Sequence, residues 1–303
     1  MKKRTVLLIC PIVIIVMCLI LATGCKKDKG DNNNLNALNL DFVQIPGGTF
    51  IMGSPQIDEW SRPEEIEHEV TLSTFRMTKY EITNTQYAIF LNSKSIGSNG
   101  IYPAATYPDI ALIDASNDVF KCYLQYTGSK WVSVTGYEND PVLSVSWYGA
   151  TEFASYAGGS LPTEAQWEYA CRGNTTTPFN TGDCLSNLNA NYCWIYTYKT
   201  CPNTNTTYPG KALAVGTYPA NAFGLFDMHG NVREMCSDWY GAYHAFPQTD
   251  PTGPVHTGST EGWSHVERGG SFIDSPQFCR SAFRFDGAGI KGCDYVGFRI
   301  VRQ

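Results

Sequence analysis

The chain has 303 residues, 22 Lys+Arg against 28 Asp+Glu, and a formal net charge of −6. That acidic balance excludes the basic face that nucleic-acid binding requires. Aromatic residues make up 13% and charged residues only 17%, which points to a packed domain whose many loops are held by aromatic anchors.

In chain order, Met1-Lys2-Lys3-Arg4 is basic, and the run from Val6 to Leu21 is apolar except for Cys10, Pro11 and Cys18. Leu21-Ala22-Thr23-Gly24-Cys25 then resembles a lipobox. The pattern predicts a secretion signal over residues 1–24, with Cys25 as the lipidated first residue of the mature protein. It places the protein in a bacterial cell envelope, lipid-anchored on the periplasmic or cell-surface face. A spanning helix is the alternative, but the run is short and carries a proline. Residues 25–40 are polar and rich in asparagine, and are expected to form a tether. Residues 41–303 are expected to fold as one domain. Without residues 1–24, 19 basic side chains face 28 acidic ones, a charge of −9.

Phe42–Pro46 and Gly48–Gly53 read as short strands on either side of a Pro-Gly-Gly turn, and Glu67–Met77 alternates as a third strand. Thr83 followed by Gln86 is a capping box that starts a helix through Tyr87, Phe90 and Leu91. The long stretch from Ser93 to Pro141 contains a hairpin, with Phe120–Tyr126 and Lys130–Thr135 flanking Thr127-Gly128-Ser129. Ser146 caps a helix on which Trp147, Ala150, Ala154 and Ala157 repeat at helical spacing, ended by Gly158-Gly159. Thr163 and Gln166 form a second capping box, followed by a stripe of Trp167, Ala170 and Cys171. Asn174 to Pro219 has no periodicity and is read as irregular. Setting aside Cys10, Cys18 and Cys25 leaves eight of the 11 cysteines. Export permits disulfides, and at least one is expected among Cys184, Cys193 and Cys201. No CxxC spacing supports zinc.

The C-terminal third carries Arg268-Gly269-Gly270-Ser271-Phe272, then Cys279, Arg280-Ser281-Ala282-Phe283-Arg284, and Gly297-Phe298-Arg299. Arginine suits buried ion pairs, so Arg268, Arg284 and Arg299 are expected to be buried and paired. Together with Pro46–Gly53, Glu81-Ile82-Thr83-Asn84, Leu161–Glu168 and Asn221–Val232, these segments resemble the sulfatase-modifying factor family, the formylglycine-generating enzymes and their relatives. The resemblance runs from about Phe42 to Arg302. It implies an irregular α+β fold of the C-type lectin-like kind, with little regular secondary structure.

The resemblance also implies two sites. One is a calcium loop, with side chains from Asp227 and Glu234 and carbonyls from Gly230 and Val232. Such a mixture of hard oxygens on a short loop suits calcium. The alternative is a simple turn in which Glu234 pairs with Arg233 or another arginine. A second calcium loop, begun by Asn191-Tyr192, lacks a carboxylate before Asp227 and is not expected. The other site is the catalytic centre, where the family pattern has two cysteines that bind Cu(I) through soft thiolates. Here Ser271 and Cys279 match, but the first cysteine position is Asp274. A hard carboxylate is a poor substitute for a thiolate, so copper is not expected, and Cys293 is a replacement thiol without support from the motif. His256, His265 and Glu267 are the residue types of an iron-binding triad, but the stretch reads as a solvated loop. There is no phosphate loop and no Gly-x-Ser-x-Gly elbow. The expected role is a non-catalytic or reassigned family member that binds a protein, peptide or glycan in the envelope. The alternative is an active oxidase of the family.

Overall fold

The computed structural model describes residues 35–107, 109–115, 122–203, 207–255, 264–287 and 292–303. Residues 1–34, and with them the expected signal, Cys25 and most of the tether, lie outside the described residues, as do His256 and part of the long insertion. Among the described residues no helix is long and apolar enough to cross a membrane.

The three capping signals each start a helix where expected. Thr83 Oγ1 accepts from Gln86 N, Gln86 Oε1 accepts from Thr83 N, and α1 runs Asn84–Ser93. Ser146 accepts from Gly149 N and α2 runs Trp147–Tyr156. Thr163 and Gln166 satisfy each other at the start of α3, Glu164–Arg172, which ends on Gly173 in the left-handed region. In each case a side-chain oxygen takes up an amide the first turn leaves unpaired.

The strands are short and fall into four small sheets among the described residues. β1 (Phe42–Ile45) and β2 (Gly48–Met52) follow the predicted turn but join different sheets. β1 pairs with β4 (Phe75–Thr78), which also pairs with the C-terminal β12 (Val301–Arg302). β2 pairs with β3 (His68–Leu72), which pairs in parallel with β8 (Gln248–Thr249). The single strand expected over Glu67–Met77 is therefore two, broken at Ser73-Thr74. Distant chain causes the break: Asp250 accepts from both Ser73 N and Ser73 Oγ, and Thr74 Oγ1 accepts from Gly47 N. Gly47 is required there, because a Cβ would approach Leu72 O to 2.8 Å. The insertion holds the predicted hairpin as β5 (Leu124–Tyr126) and β6 (Trp131–Ser133). Trp131 Nε1 donates to Ile96 O and pins the hairpin to the end of α1. The fourth sheet has the order β10 (Phe285–Gly287), β9 (His265–Arg268), β7 (Arg233–Trp239), β11 (Val296–Gly297).

Two apolar clusters form the core. Tyr87, Phe90, Phe153 and Phe298 pack α1 and α2 against the C-terminal segment. Ile45, Val70, Phe75, Trp167 and Val266 pack α3 between the sheets. Leu35, Leu38 and Leu40, from the stretch expected as tether, pack on the first cluster, and Leu38 O accepts from Gln86 Nε2. Asn174–Pro219 contains no helix or strand among its described residues. It is held by the Cys184–Cys201 disulfide and by its own buried aromatics, Phe179, Tyr192 and Tyr198; Cys193 is a free thiol. The result is a mixed α/β fold of the C-type lectin-like kind with little regular structure.

Candidate functional site

The Arg-Gly-Gly-Ser loop lies between β9 and the 3₁₀ turn Pro276–Cys279. Gly269 and Gly270 have φ of 91° and 70°, a conformation that only glycine adopts without strain. A Cβ on Gly270 would stand 2.6 Å from Cys279 Sγ, so the glycine also makes room for the thiol.

Around this loop lies a set of buried ion pairs. Arg268 is fully buried, pairs with Glu168, donates to Phe283 O at 2.5 Å, and has Glu164 at 3.6 Å. Arg284 binds both oxygens of Glu164 at 2.6 and 2.8 Å. Burial alone would raise the Glu164 carboxyl, but the Arg284 and Arg268 guanidiniums overcome it and hold the group below the usual carboxylate range. Arg299 binds both oxygens of Glu234 at 2.7 Å and also donates to the carbonyls of Thr78, Lys79 and Phe226. Arg268, Arg284 and Arg299 are thus buried and paired as the sequence suggested. Arg280 forms a further pair with Glu65, both oxygens at 2.8 Å, which the sequence reading missed.

The three expected catalytic residues come together, with a partner the sequence did not reveal. Arg233 donates to Asp274 Oδ2 at 2.8 Å and to Oδ1 at 2.7 Å, and Ser271 Oγ donates to Oδ2 at 2.6 Å. Arg233 also stacks over Phe285 and lies 3.8 Å from Glu267, whose carboxyl burial pushes up to about 7. Cys279 is fully buried, and burial together with the Asp274 carboxylate pushes its thiol well above the usual range. Its carbonyl accepts from His229 Nδ1 at 2.7 Å, while His229 Nε2 accepts from Asn180 N at 3.0 Å. Burial lowers His229 to about 4, so it is a neutral ring with both nitrogens engaged. The Cys193 amide donates to Asp274 O, which brings a second thiol-bearing residue beside position 274. Cys293 packs against the first core cluster, its carbonyl accepts from Ser144 N, and its thiol, raised by burial, still feels the charges of Glu267 and Arg233. His265 is stacked between Trp147 and Trp239, a core histidine rather than part of a solvated loop.

At the expected calcium loop, Asp227 and Asn231 take left-handed conformations on either side of Gly230, and a Cβ at Gly230 would meet Asn191 O at 2.2 Å. Asp227 Oδ2 accepts from Gly216 N at 2.6 Å, and burial lifts this carboxyl to about 6. Glu234 is held by Arg299 and accepts from Trp167 Nε1, as in the alternative reading of this loop as a turn. Glu81, unnoticed as a site residue in the sequence, is buried beside them: Oε1 accepts from Asn231, and Oε2 has no partner. Three buried carboxylates, Glu81, Asp227 and Glu234, therefore face one guanidinium. That excess of negative charge and the orphaned oxygen fit a hard cation. Among the described residues no three His, Cys, Asp or Glu side chains converge as a ready ligand shell. Asp274 and Cys279 do not fit copper, because the carboxylate is hard and already fully engaged.

Fold comparison gives the class first. PvdO from Pseudomonas aeruginosa superposes with a TM-score of 0.61 at 23% identity, over 86% of this chain and 94% of that one. CarF superposes at 0.55 with 18% identity, over 88% and 98%. Residues 29–303 match the sulfatase-modifying factor enzyme 1-like domain, and the chain belongs to that family. The formylglycine-generating enzyme of Thermomonospora curvata is 32% identical over 288 residues, covering 86% of this chain and 92% of that one. The mouse formylglycine-generating enzyme is 31% identical, over 86% and 74%. The serine/threonine-protein kinase pkn1 of Chlamydia caviae is 33% identical over 86% of this chain but only 38% of its own length.

Proposed function

We propose that this chain is a cell-envelope lipoprotein of the family in which the copper centre has been exchanged for a sealed ion pair, and that it serves as a binding or structural module for a protein, peptide or glycan partner. The observation that carries this is Asp274: both its oxygens are taken by Arg233 and Ser271, so the position is occupied structurally as well as chemically changed. Cys279 then stands without its thiolate partner, buried and held in the protonated form. The Cys25 lipid would tether the domain to the membrane. Calcium would be held by Asp227, the carbonyls of Gly230 and Val232, the Glu234 carboxylate shared with Arg299, and the free oxygen of Glu81. Its contribution would be structural, neutralising the carboxylates and fixing the loop that leads into β7.

The second reading, an active oxidase, is favoured by the 32% identity to a formylglycine-generating enzyme along most of both chains. One experiment separates them. The full chain, purified under reducing conditions, is assayed for copper and iron and incubated with Cu(I), oxygen and a peptide carrying a Cys-x-Pro-x-Arg motif. The module reading expects no stoichiometric metal of either kind and no formylglycine. Turnover would overturn it.

A further inference from the structure

A cavity of about 240 Å³ lies between α3, β3 and the loop from Gly241 to Pro254, and it shares no residue with Ser271, Asp274 and Cys279. Its floor includes Asp238, only 3% exposed. Asp238 Oδ2 is satisfied: it accepts from Glu164 N at 3.0 Å and from Ser237 Oγ at 3.0 Å. No donor among the described residues reaches Oδ1. Gly253 closes over this carboxylate, in a left-handed conformation with φ of 75°, and a Cβ there would meet Oδ1 at 2.9 Å. The groups facing Asp238 are Glu164 from α3, Arg284 from the segment before β10, His68 from β3, and Tyr243, His244 and Asp250 from the loop. Arg284 spends its hydrogen bonds on Glu164 and the Gly241 carbonyl and packs on the Tyr243 ring, so it offsets the Asp238 charge only in part and from a distance. His68 spends Nδ1 on Ile66 O at 3.0 Å and packs at a tilt against Tyr243 in the cavity wall.

We infer that this cavity is a binding site for a primary ammonium group on a short alkyl stem, with Asp238 as its counter-ion. Asp238 Oδ1, an acceptor on a buried side chain with no donor among the described residues, selects a ligand that donates. A buried carboxylate with one oxygen unpaired selects positive charge. Met52, Ala165 and Pro254 supply apolar wall for methylenes. The volume falls just below the usual range of small-molecule pockets, roughly 300–1,000 Å³, so the occupant is no larger than an amino-acid side chain. A free amine and a lysine side chain present the same head group. Burial, with the Glu164 charge beside it, pushes Asp238 up to about 7, so the counter-ion is ionised in the upper part of the neutral range.

The test uses the full chain and ligand-detected NMR titration with n-butylamine at pH 8. A five-heavy-atom ligand in a good pocket should bind with a Kd on the order of 1 mM. n-Butanol and propionate, of the same size but neutral and anionic, should not bind. Asp238→Asn keeps an oxygen for Glu164 N but turns an amide donor to the cavity, and should weaken butylammonium at least tenfold. Should that variant fail to fold, Ala242→Trp, at the exposed rim, should weaken it equally by filling the mouth. At pH 6, with Asp238 mostly protonated, binding should fall about tenfold. Tighter binding of Nα-acetyl-lysine amide than of butylamine would identify a peptide source, and the reverse a free amine. No binding of butylammonium, equal binding of butanol, or binding unchanged in Ala242→Trp would overturn the inference.

Discussion

Arg268→Ala tests the buried ion-pair network at its centre. The wild-type guanidinium is fully buried, bound to Glu168 and to Phe283 O, and lies over Trp167. Truncation leaves Glu168 Oε2 and Phe283 O without that donor and opens a void of most of an arginine side chain. Breaking a buried pair from one side costs about 3–5 kcal/mol. Two features of the structure keep the cost inside that range. Glu168 Oε1 retains Arg172, at 2.9 and 2.7 Å, and the Gly53 amide, so the remaining carboxylate is not isolated. Glu164 retains Arg284. Equilibrium urea unfolding measures the loss as a lower midpoint at unchanged slope, and the melting temperature should fall by roughly 6–20 °C. The exposed pair Arg62–Glu64, at 4.0 Å, serves as the control, and Glu64→Ala should cost less than about 1 kcal/mol. An Arg268→Ala protein within about 1 kcal/mol of wild type would refute the reasoning, because it would mean that Glu168 and Phe283 O lose nothing when their buried donor is removed.

Three further outcomes follow from the same chain. Cys25→Ala should move the protein from the membrane to the soluble fraction on cell fractionation; retention with an intact N-terminus would make residues 1–24 a spanning helix. Calcium should raise the melting temperature of wild type over a chelator control, and Asp227→Ala should remove most of the difference, since an ion that binds only the folded state stabilises it. Asp238 stands near 7 in the fold against a reference of 3.8, so its contribution to stability is present below about pH 4 and is lost as pH rises towards 7 and beyond. Between pH 4 and 8, wild type should therefore lose on the order of 4 kcal/mol relative to Asp238→Asn in paired urea titrations, and a constant difference would show that Asp238 titrates normally.

Sequence legibility followed the range of the interactions. The starts of α1, α2 and α3 were readable because a cap is a contact between residues three apart. The Cys184–Cys201 bridge fell within the expected trio because three cysteines crowd one short segment, and the pair that closes is only 17 residues apart. The buried arginines were readable as a residue type, but their partners were not: Glu65 lies 215 positions from Arg280, and Glu168 lies 100 from Arg268. The same reach explains the misread third strand, whose break is imposed by Asp250, 177 residues away. Arg233 was visible only as a charge next to the calcium motif; no local signal tied it to Asp274. Glu81 was legible only as part of a segment resembling the family, and Asp238 carried no local signal at all; only the fold shows that each keeps an oxygen to spare.

Arg233 also decides what Asp274→Cys would do. The substitution removes both charge-assisted bonds from a half-buried guanidinium and leaves it with Glu267 at 3.8 Å. The metal-free variant should therefore lose about 3 kcal/mol, at the lower end of the cost of breaking a buried pair. The same change removes the Asp274 carboxylate, one of the influences that raise the Cys279 thiol, while Arg233, which favours the thiolate, stays. A Cu(I) ion held by two thiolates is net anionic and would restore to Arg233 the negative partner that Asp274 supplied. Cu(I) should thus recover most of the lost stability in Asp274→Cys and leave wild type unchanged, as read by thermal unfolding with and without a competing Cu(I) chelator. Asp274→Ser is the control, since it loses the same ion pair without gaining a soft ligand, and Cu(I) should not rescue it. If Asp274→Cys is destabilised and Cu(I) has no effect, the side chains at 274 and 279 do not converge. On the proposed reading, what keeps Cu(I) out would then be the backbone between them, and not the single exchange of cysteine for aspartate.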